Sequence, residues 1–429
     1  MAGFLGMRGN GNWVTDQRPK NYREKVLQLW PNGAAPLTAM LSKMSSEKVD
    51  DPEFNWWTKV HDTQRSAITG VYTNAALSAA YASGGTTGQV LYLKMAAADI
   101  VRHRVGQQVL LRDASNMLVD VNAKVVAREE NGASSYIGCK LLEADDNGVT
   151  TDLSDCDTCI IIGNVNSEGA AMPDALAFDP TKFYNYTQIF RTPLSITRTA
   201  MQTRLRTGDQ LKEARRECLE YHSVDMEKAF MFGIPTESTG SNSKPERSTG
   251  GIIHFIRTNA PTNIFNYVTD SSYSGQAWTT GGANWLDACL EQLFRYGDTE
   301  KLIYCGSGTL LGIQRLAATL GTVNIEPMET DYGIKVTRWI TPFGTVNFKT
   351  HPLFSQETTL RHAALVIEPK NLKYRFVQDT KFKADTNLNS GGQAAIDGIN
   401  EEYLTAAGLE IHFPQTMGLL YGFNQTNTA

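Results

Sequence analysis

The glycines of KLIYCGSGTLLG are the first candidates for chemistry, with Gly306, Gly308 and Gly312 lying between an apolar run and a helical pattern. In such a turn, backbone N–H groups can close around a phosphate, and a nucleotide-binding enzyme would use them so. The dinucleotide fingerprint G-x-G-x-x-G needs its third glycine for close helix–strand packing. Here that glycine comes one position late and no βαβ series precedes it, so a tight strand-to-helix turn is the simpler expectation. Cys156 and Cys159 form a lone C-x-x-C. Zinc needs four ligands, and only Cys139 lies nearby. A redox pair would sit at a helix N-terminus, whereas this one enters a β-run. His61, His103, His222, His254, His351, His362 and His412 show no H-E-x-x-H or other ligand spacing, and there is no G-x-S-x-G elbow and no phosphate loop ending G-K-[ST]. The carboxylate pairs Glu401-Glu402 and Asp145-Asp146 fall in strand or turn contexts, where a solvated edge explains them better than acid–base work. The expectation is no catalytic, cofactor-binding or metal-binding residue, and no enzyme.

Two further groups could make contacts. Arg191, Arg198, Arg204, Arg206, Lys212, Arg215 and Arg216 surround the entry to a long helical pattern, diluted by Asp209, Glu213 and Glu217. They could face phosphate, or meet an acidic patch on a neighbour; no aromatics are interleaved as a base-stacking platform requires. Phe54, Trp56 and Trp57 are concentrated in the polar segment DDPEFNWWTKV. Aromatics on a short extended arm either dock on a neighbour or pack back on their own subunit. The candidate assembly residues are therefore Trp56, Trp57, Arg191, Arg198, Arg204, Arg216 and Glu220.

The element that must position most of these is the helix expected from Thr207 to Gly233, roughly 35–40 Å long at about 1.5 Å per residue. Thr207 and Gln210 read as a capping box. Leu211, Ala214, Cys218, Tyr221, Ala229 and Phe232 fall on one stripe, edged by Leu219, Met226 and Phe230. Lys212, Glu213, Arg216, Glu217, Glu220, Glu227 and Lys228 fall on the opposite face, and Asp225 interrupts the stripe. Gly233 supplies a permissive C-terminal position, with Pro235 beyond it.

Upstream, residues 1–60 read as an arm with short helical candidates at Tyr22–Leu29 and Pro36–Met44. From Arg65 to Ala200 the texture is period-two, with turn residues at regular intervals, which points to a small antiparallel barrel or sandwich over about Val90–Glu168. The run FYNYTQIFRTPLSITRTA gives two extended pieces split at Thr192-Pro193. Downstream of the helix come polar loops at PTESTGSNSKPERSTGG, Thr258–Gly282 and Gln378–Gln393, helices at Trp285–Tyr296 and Leu310–Leu320, and strands in KLIYC, AALVIEP, KYRFV, EEYLTAAGLEIHF and MGLLYGF. YGIKVTRWI and TVNFKTH form a hairpin turning at Pro342 and Gly344. Three loops of such length are uncommon inside compact domains and make most sense if neighbouring subunits hold them.

Composition fits a folded α+β protein, with 41% hydrophobic and 20% charged residues. A formal net charge of −5 argues against a dedicated nucleic-acid binder. No apolar run approaches the ~20 residues of a membrane span, MAGFLGMRGNGNWV lacks a secretory core, and six cysteines are too few for a disulfide scaffold. A soluble cytoplasmic product is expected.

The order of parts resembles the major capsid proteins of tailed bacteriophages, with their Hong Kong ninety-seven type fold. Several stretches resemble one branch, the major head proteins grouped with phage SU-ten: LWPNGAAPLTAMLSKM followed by FNWWT; VGQQVLLRD with KVVAREENGASS and IIIGNVNSEGAA; NYTQIFRTPLSITRTA; and GGIIHFI. The resemblance implies an N-terminal arm over residues 1–60, an extended loop over 61–89 and 169–206, and an inserted β-rich domain over 90–168. It further implies a peripheral domain with a spine helix over 207–256, an axial domain over 257–395, and terminal strands returning to the peripheral domain over 396–429. It implies hexamers and pentamers closing an icosahedral shell around double-stranded DNA, in a virion assembled in the host bacterial cytoplasm. Separate scaffolding and portal proteins and a decoration protein would be partners, with no membrane and no cofactor. An encapsulin-like nanocompartment is the nearest alternative; a nucleotide-binding enzyme using Gly306, Gly308 and Gly312, or a β-rich fibre or tail component, would belong to other classes.

Overall fold

Six of the period-two runs close into an antiparallel barrel, in the order Arg65–Tyr72, Val90–Met95, Tyr136–Leu141, Asp120–Glu129, Gln107–Arg112 and Thr158–Asn164. The computed structural model describes residues 36–41, 46–59, 64–145, 152–169, 172–203, 209–320, 325–329, 335–384 and 398–429. Leu91, Leu93, Met95, Val109, Leu111, Val121, Ala123 and Val125 alternate into the barrel interior, and closure leaves no open edge. The expected insert opened at Val90; the barrel's first strand lies upstream of that point. Its buried residues are Ser66, Ile68 and Val71, because a bulge at Ile68/Gly70 shifts its pairing by one. That shift breaks the alternation by which a strand is recognised. This β-rich unit spans Lys59–Thr181.

The second unit takes the chain up to Thr58 and from Lys182 onward. Its larger sheet has seven strands, ordered Ile264–Asn266, Gly418–Tyr421, Ala363–Ile367, Glu300–Cys305, Gly344–Thr350, Lys335–Thr341 and Ile325–Glu329. The middle strands are apolar throughout because both faces are covered. Leu302 and Tyr304 enter one core while Ile303 and Cys305 enter the other; Leu365 and Val366, and Leu419 and Leu420, divide in the same way. One core is completed by the helices Trp278–Phe294 and Ser307–Leu320. The other takes the short helix Pro36–Leu41, the end of the long helix, and the helix Ile252–Asn259.

Helix Trp278–Phe294 begins seven residues before the expected Trp285 start, within a stretch that reads as loop. Its glycines serve packing: a Cβ on Gly282 would lie 2.7 Å from the Trp278 ring, and one on Gly281 would lie 2.5 Å from Gln276 Oε1. The polar loop after the long helix contains a hairpin, Thr236–Thr239 with Pro245–Ser248. Gln378–Lys383, expected as loop, continues the strand Leu372–Lys383 through two bulges.

The smaller sheet is ordered Ser46–Lys48, Leu372–Lys383, Gly398–Ile411 and Gln188–Thr197. Pro193 does not split its strand. The break falls at Thr187, and Pro193 sits opposite Glu402 within Gln188–Thr197. That strand is the sheet's edge, where a residue without an N–H costs no ladder bond.

The long helix runs from Gln210 to Phe232. Asp209 caps it, accepting from the Leu211 and Lys212 N–H groups; Thr207 and Arg204 lie outside the described residues, as does the expected Tyr22–Leu29 helix. Gly233 has φ −59°, so it is not a left-handed cap. It is glycine because a Cβ there would lie 2.3 Å from Thr249 O and 2.5 Å from Ala229 O. The buried face comprises Cys218, His222, Met226, Glu227, Phe230 and Met231, while Tyr221 and Phe232 of the expected stripe are exposed.

Candidate assembly surfaces

Glu227 is the largest departure from the helical pattern. Expected on the charged face, it is fully buried. Its Oε1 accepts from the Leu37 N–H at 2.7 Å and from His351 Nε2 at 2.6 Å. Its Oε2 accepts from the Thr38 N–H and hydroxyl, both at 2.6 Å. One carboxylate thereby caps the first turn of Pro36–Leu41 and fixes that piece of the arm to the long helix, which matches the preference of anions for helix N-termini. His351 Nδ1 accepts from the Leu353 N–H at 3.2 Å, so the proton is on Nε2 and points at Glu227. The Tyr304 hydroxyl donates to Pro36 O at 3.2 Å, and its ring stands edge-on to His351. A signal for this existed: Phe230-Met231-Phe232 shows the apolar stripe widening in the last turns, and Glu227 precedes Met231 by four.

Asn185 opens NYTQIFRTPLSITRTA, one of the stretches that carry the resemblance, yet its side chain showed no role in the sequence. It is fully buried. Its amide donates to Gly250 O at 3.0 Å and Leu409 O at 2.7 Å. Its oxygen accepts from Gly250 N at 2.7 Å and Tyr186 N at 2.8 Å. One side chain joins the strand Thr181–Tyr186, the backbone at Gly250 and the strand Gly398–Ile411.

The arm aromatics have opposite fates, set by strand alternation along Glu53–Thr58. Trp56 is buried against Phe54, Phe183, Phe255 and His412 of its own subunit. Trp57 points the other way and is 62% exposed.

The basic cluster is largely neutralised within the chain. Arg215 makes a two-pronged contact with Glu401 at 2.6 and 2.5 Å, which raises its pKa. Arg191 pairs with Glu402 at 2.5 Å, as does Lys383 at 3.2 Å. Burial alone would raise the Glu402 carboxyl, but these two cations outweigh it and hold it below its ordinary value. Glu401 and Glu402 are therefore counter-charges rather than a solvated edge. Arg216 pairs with Glu220 one turn away at 3.0 Å, and Lys212 with Asp209 at 3.7 Å. Arg198 opens the short helix Arg198–Gln202. His222 bridges Thr192 and Thr405 through its two ring nitrogens at 2.9 and 2.7 Å, and burial pushes its pKa down.

The remaining candidates for chemistry are packing features. A Cβ on Gly306 would lie 2.3 Å from Arg361 O, and one on Gly308 would lie 2.8 Å from the His362 ring. The Thr309 N–H, which a phosphate would need, already donates to Arg361 O at 3.2 Å and Gly306 O at 3.1 Å. The chain itself fills the turn, so close packing accounts for these glycines. Cys139, Cys156 and Cys159 lie in the barrel core; burial pushes all three thiols up, Cys156 to about 12, which suppresses the thiolate that redox or metal chemistry needs. Among the described residues, no three His, Cys, Asp or Glu side chains converge as a metal site, and no helix is long and apolar enough to cross a membrane.

What remains at the surface suits contact between subunits. The ten-residue edge Gln188–Thr197 has no strand beyond it among the described residues, and Ile189 on it is 65% exposed. The sequence model of the SU10 major capsid protein family matches residues 7–424. The chain belongs to that family. The major capsid protein of Pseudomonas phage PaMx41 is 23% identical over 387 residues, covering 87% of this chain and 82% of the relative. Solved structures similar to it include one of Mycobacterium phage Adephagia, at TM-score 0.42 and 9% identity over 95% of this chain and 92% of that one. Another is the capsid of a native GTA particle, at TM-score 0.40 and 10% identity over 95% and 96%. Family membership makes this capsid protein a structural component of a phage virion and carries the Hong Kong ninety-seven type fold that the resemblance implied.

Proposed function

We propose that this capsid protein forms hexamers and pentamers that close an icosahedral shell around the double-stranded DNA of a tailed phage. The observation that carries the reading is the family match over nearly the whole chain. In this reading the long helix is the spine, the barrel is the inserted domain, and the seven-stranded sheet with its helices forms the axial region. Assembly takes place in the host bacterial cytoplasm with separate scaffolding and portal proteins, and a decoration protein can add to the finished shell. The protein acts structurally, without catalysis. The edge strand supports this: an unpaired strand is a template for a neighbour's main chain, and Pro193 limits its indiscriminate pairing. A net charge of −5 lets packaged duplex move without sticking to the container.

The charged face of the spine helix lies on the inner or inter-subunit surface in this account. Arg216 is 73% exposed and Glu220 26%. An exposed pair one turn apart contributes about 0.3–0.5 kcal/mol to a helix. Arg216→Glu and Glu220→Lys are expected to leave the subunit melting curve within about 2 °C of wild type, while shell yield by sedimentation falls at least about tenfold. Equal loss of stability and yield, or no change in either, would contradict this placement.

A further inference from the structure

Asp145 and Asp152, in the turn region between the barrel strands Tyr136–Leu141 and Thr158–Asn164, are both withdrawn from water. Asp145 is 2% exposed and Asp152 is fully buried. One oxygen of each is satisfied. Asp145 Oδ2 accepts from the Tyr81 hydroxyl at 2.5 Å and from the Leu153 N–H at 3.0 Å. Asp152 Oδ1 accepts from the Ser154 N–H at 2.9 Å and from the Ser154 hydroxyl. The other oxygen of each, Asp145 Oδ1 and Asp152 Oδ2, has no hydrogen-bond partner.

The two carboxylates are neighbours, since Leu153, the residue after Asp152, donates to Asp145. Both also act electrostatically on the Tyr81 hydroxyl. Among the described residues, neither is paired with a lysine, arginine or histidine. An unpaired buried carboxylate is costly, and a second of like charge beside it adds to the cost. Buried charges persist when they are paired or coordinate a metal. The donor set consists of oxygen alone, which suits a hard cation and not zinc. Calcium accepts irregular arrangements of carboxylate, carbonyl and water oxygens, whereas magnesium demands near-octahedral geometry.

We propose that Asp145 and Asp152 bind a calcium-class divalent cation at this end of the barrel through Asp145 Oδ1 and Asp152 Oδ2. The ion acts as a staple. Asp145 is tied by its N–H to Gly85 O at 2.7 Å, and the Gly85 N–H donates to the Tyr81 hydroxyl at 2.8 Å. A cation held jointly with Asp152 therefore fastens the Tyr81–Gly85 segment to the Leu153–Asp155 turn.

The test uses the full chain, stripped with EDTA and then titrated with calcium chloride, magnesium chloride or terbium chloride. Calcium at about a hundred times its dissociation constant is expected to raise the melting temperature of the barrel by about 10 °C. Terbium should show emission excited through tyrosine, because Tyr81 adjoins the site, and calcium should displace it. Asp152→Asn and Asp145→Asn should each abolish both responses. A wild-type protein with neither a calcium-dependent shift nor terbium emission at millimolar metal would overturn the proposal. So would responses that survive in the Asp145→Asn/Asp152→Asn double variant, since the ion would then bind elsewhere.

Discussion

Glu227→Ala is expected to lower the unfolding free energy of the larger unit by about 3–5 kcal/mol, the usual cost of removing one partner from a buried charged network. The substitution strands the Leu37 and Thr38 N–H groups, the Thr38 hydroxyl and His351 Nε2, all of which converge on that carboxylate. It also leaves a cavity between the helix Pro36–Leu41 and the long helix. Glu227→Gln separates these effects. The amide keeps one acceptor oxygen for Leu37 and His351, and the Thr38 hydroxyl can rotate to accept from the new NH2 group. Only the Thr38 N–H then faces a donor, so the loss should be about 2 kcal/mol. Urea unfolding of dissociated subunits measures both. Limited proteolysis adds a local readout: the arm should be cut faster in both variants while the long helix stays protected. Arm cleavage at the wild-type rate in Glu227→Ala would show that this carboxylate does not hold the arm.

Asn185 carries the second large expectation. Asn185→Ala removes four hydrogen bonds at a fully buried position and should cost about 2–3 kcal/mol. Asn185→Asp, although nearly the same size, should cost more. A carboxylate can still accept from Gly250 and Tyr186, but it turns an acceptor toward Gly250 O and Leu409 O, where the amide had donated. A ranking by size alone predicts the reverse order. Thermal melts of the two variants decide between them, and an Asp variant as stable as wild type would refute the assigned hydrogen-bond pattern.

These two residues mark the boundary of what the sequence made legible. Elements whose apolar residues follow one period along their whole length were readable. The continuous runs KLIYC and AALVI are central strands because both faces meet a core, and the barrel strand Val90–Met95 alternates without interruption. Elements with a local irregularity were misread for identifiable reasons. A bulge interrupts the alternation of Arg65–Tyr72, and the insert was expected to open only at Val90, one strand too late. Gly281 and Gly282 looked like a loop but allow the close approach of Gln276 and Trp278. Pro193 looked like a break but sits on a sheet edge.

The polar residues were harder, because a single sequence does not reveal which distant group a charge will meet. Glu227 finds Leu37, and Asn185 finds Leu409, across about two hundred residues each. The arginines of the basic cluster were visible, yet two of their counter-charges, Glu401 and Glu402, come from the last strand of their sheet. Of the aromatic pair, alternation alone decides that Trp56 is core and Trp57 is surface. Trp57 thus stays exposed to solvent in the isolated subunit.

The central claim is that this chain builds closed shells. Negative-stain microscopy of the protein, expressed alone and with its scaffolding protein, tests it most directly. Capsomers, shells or tubes with hexameric and pentameric units are expected. Dispersed monomers or dimers under every condition would contradict it.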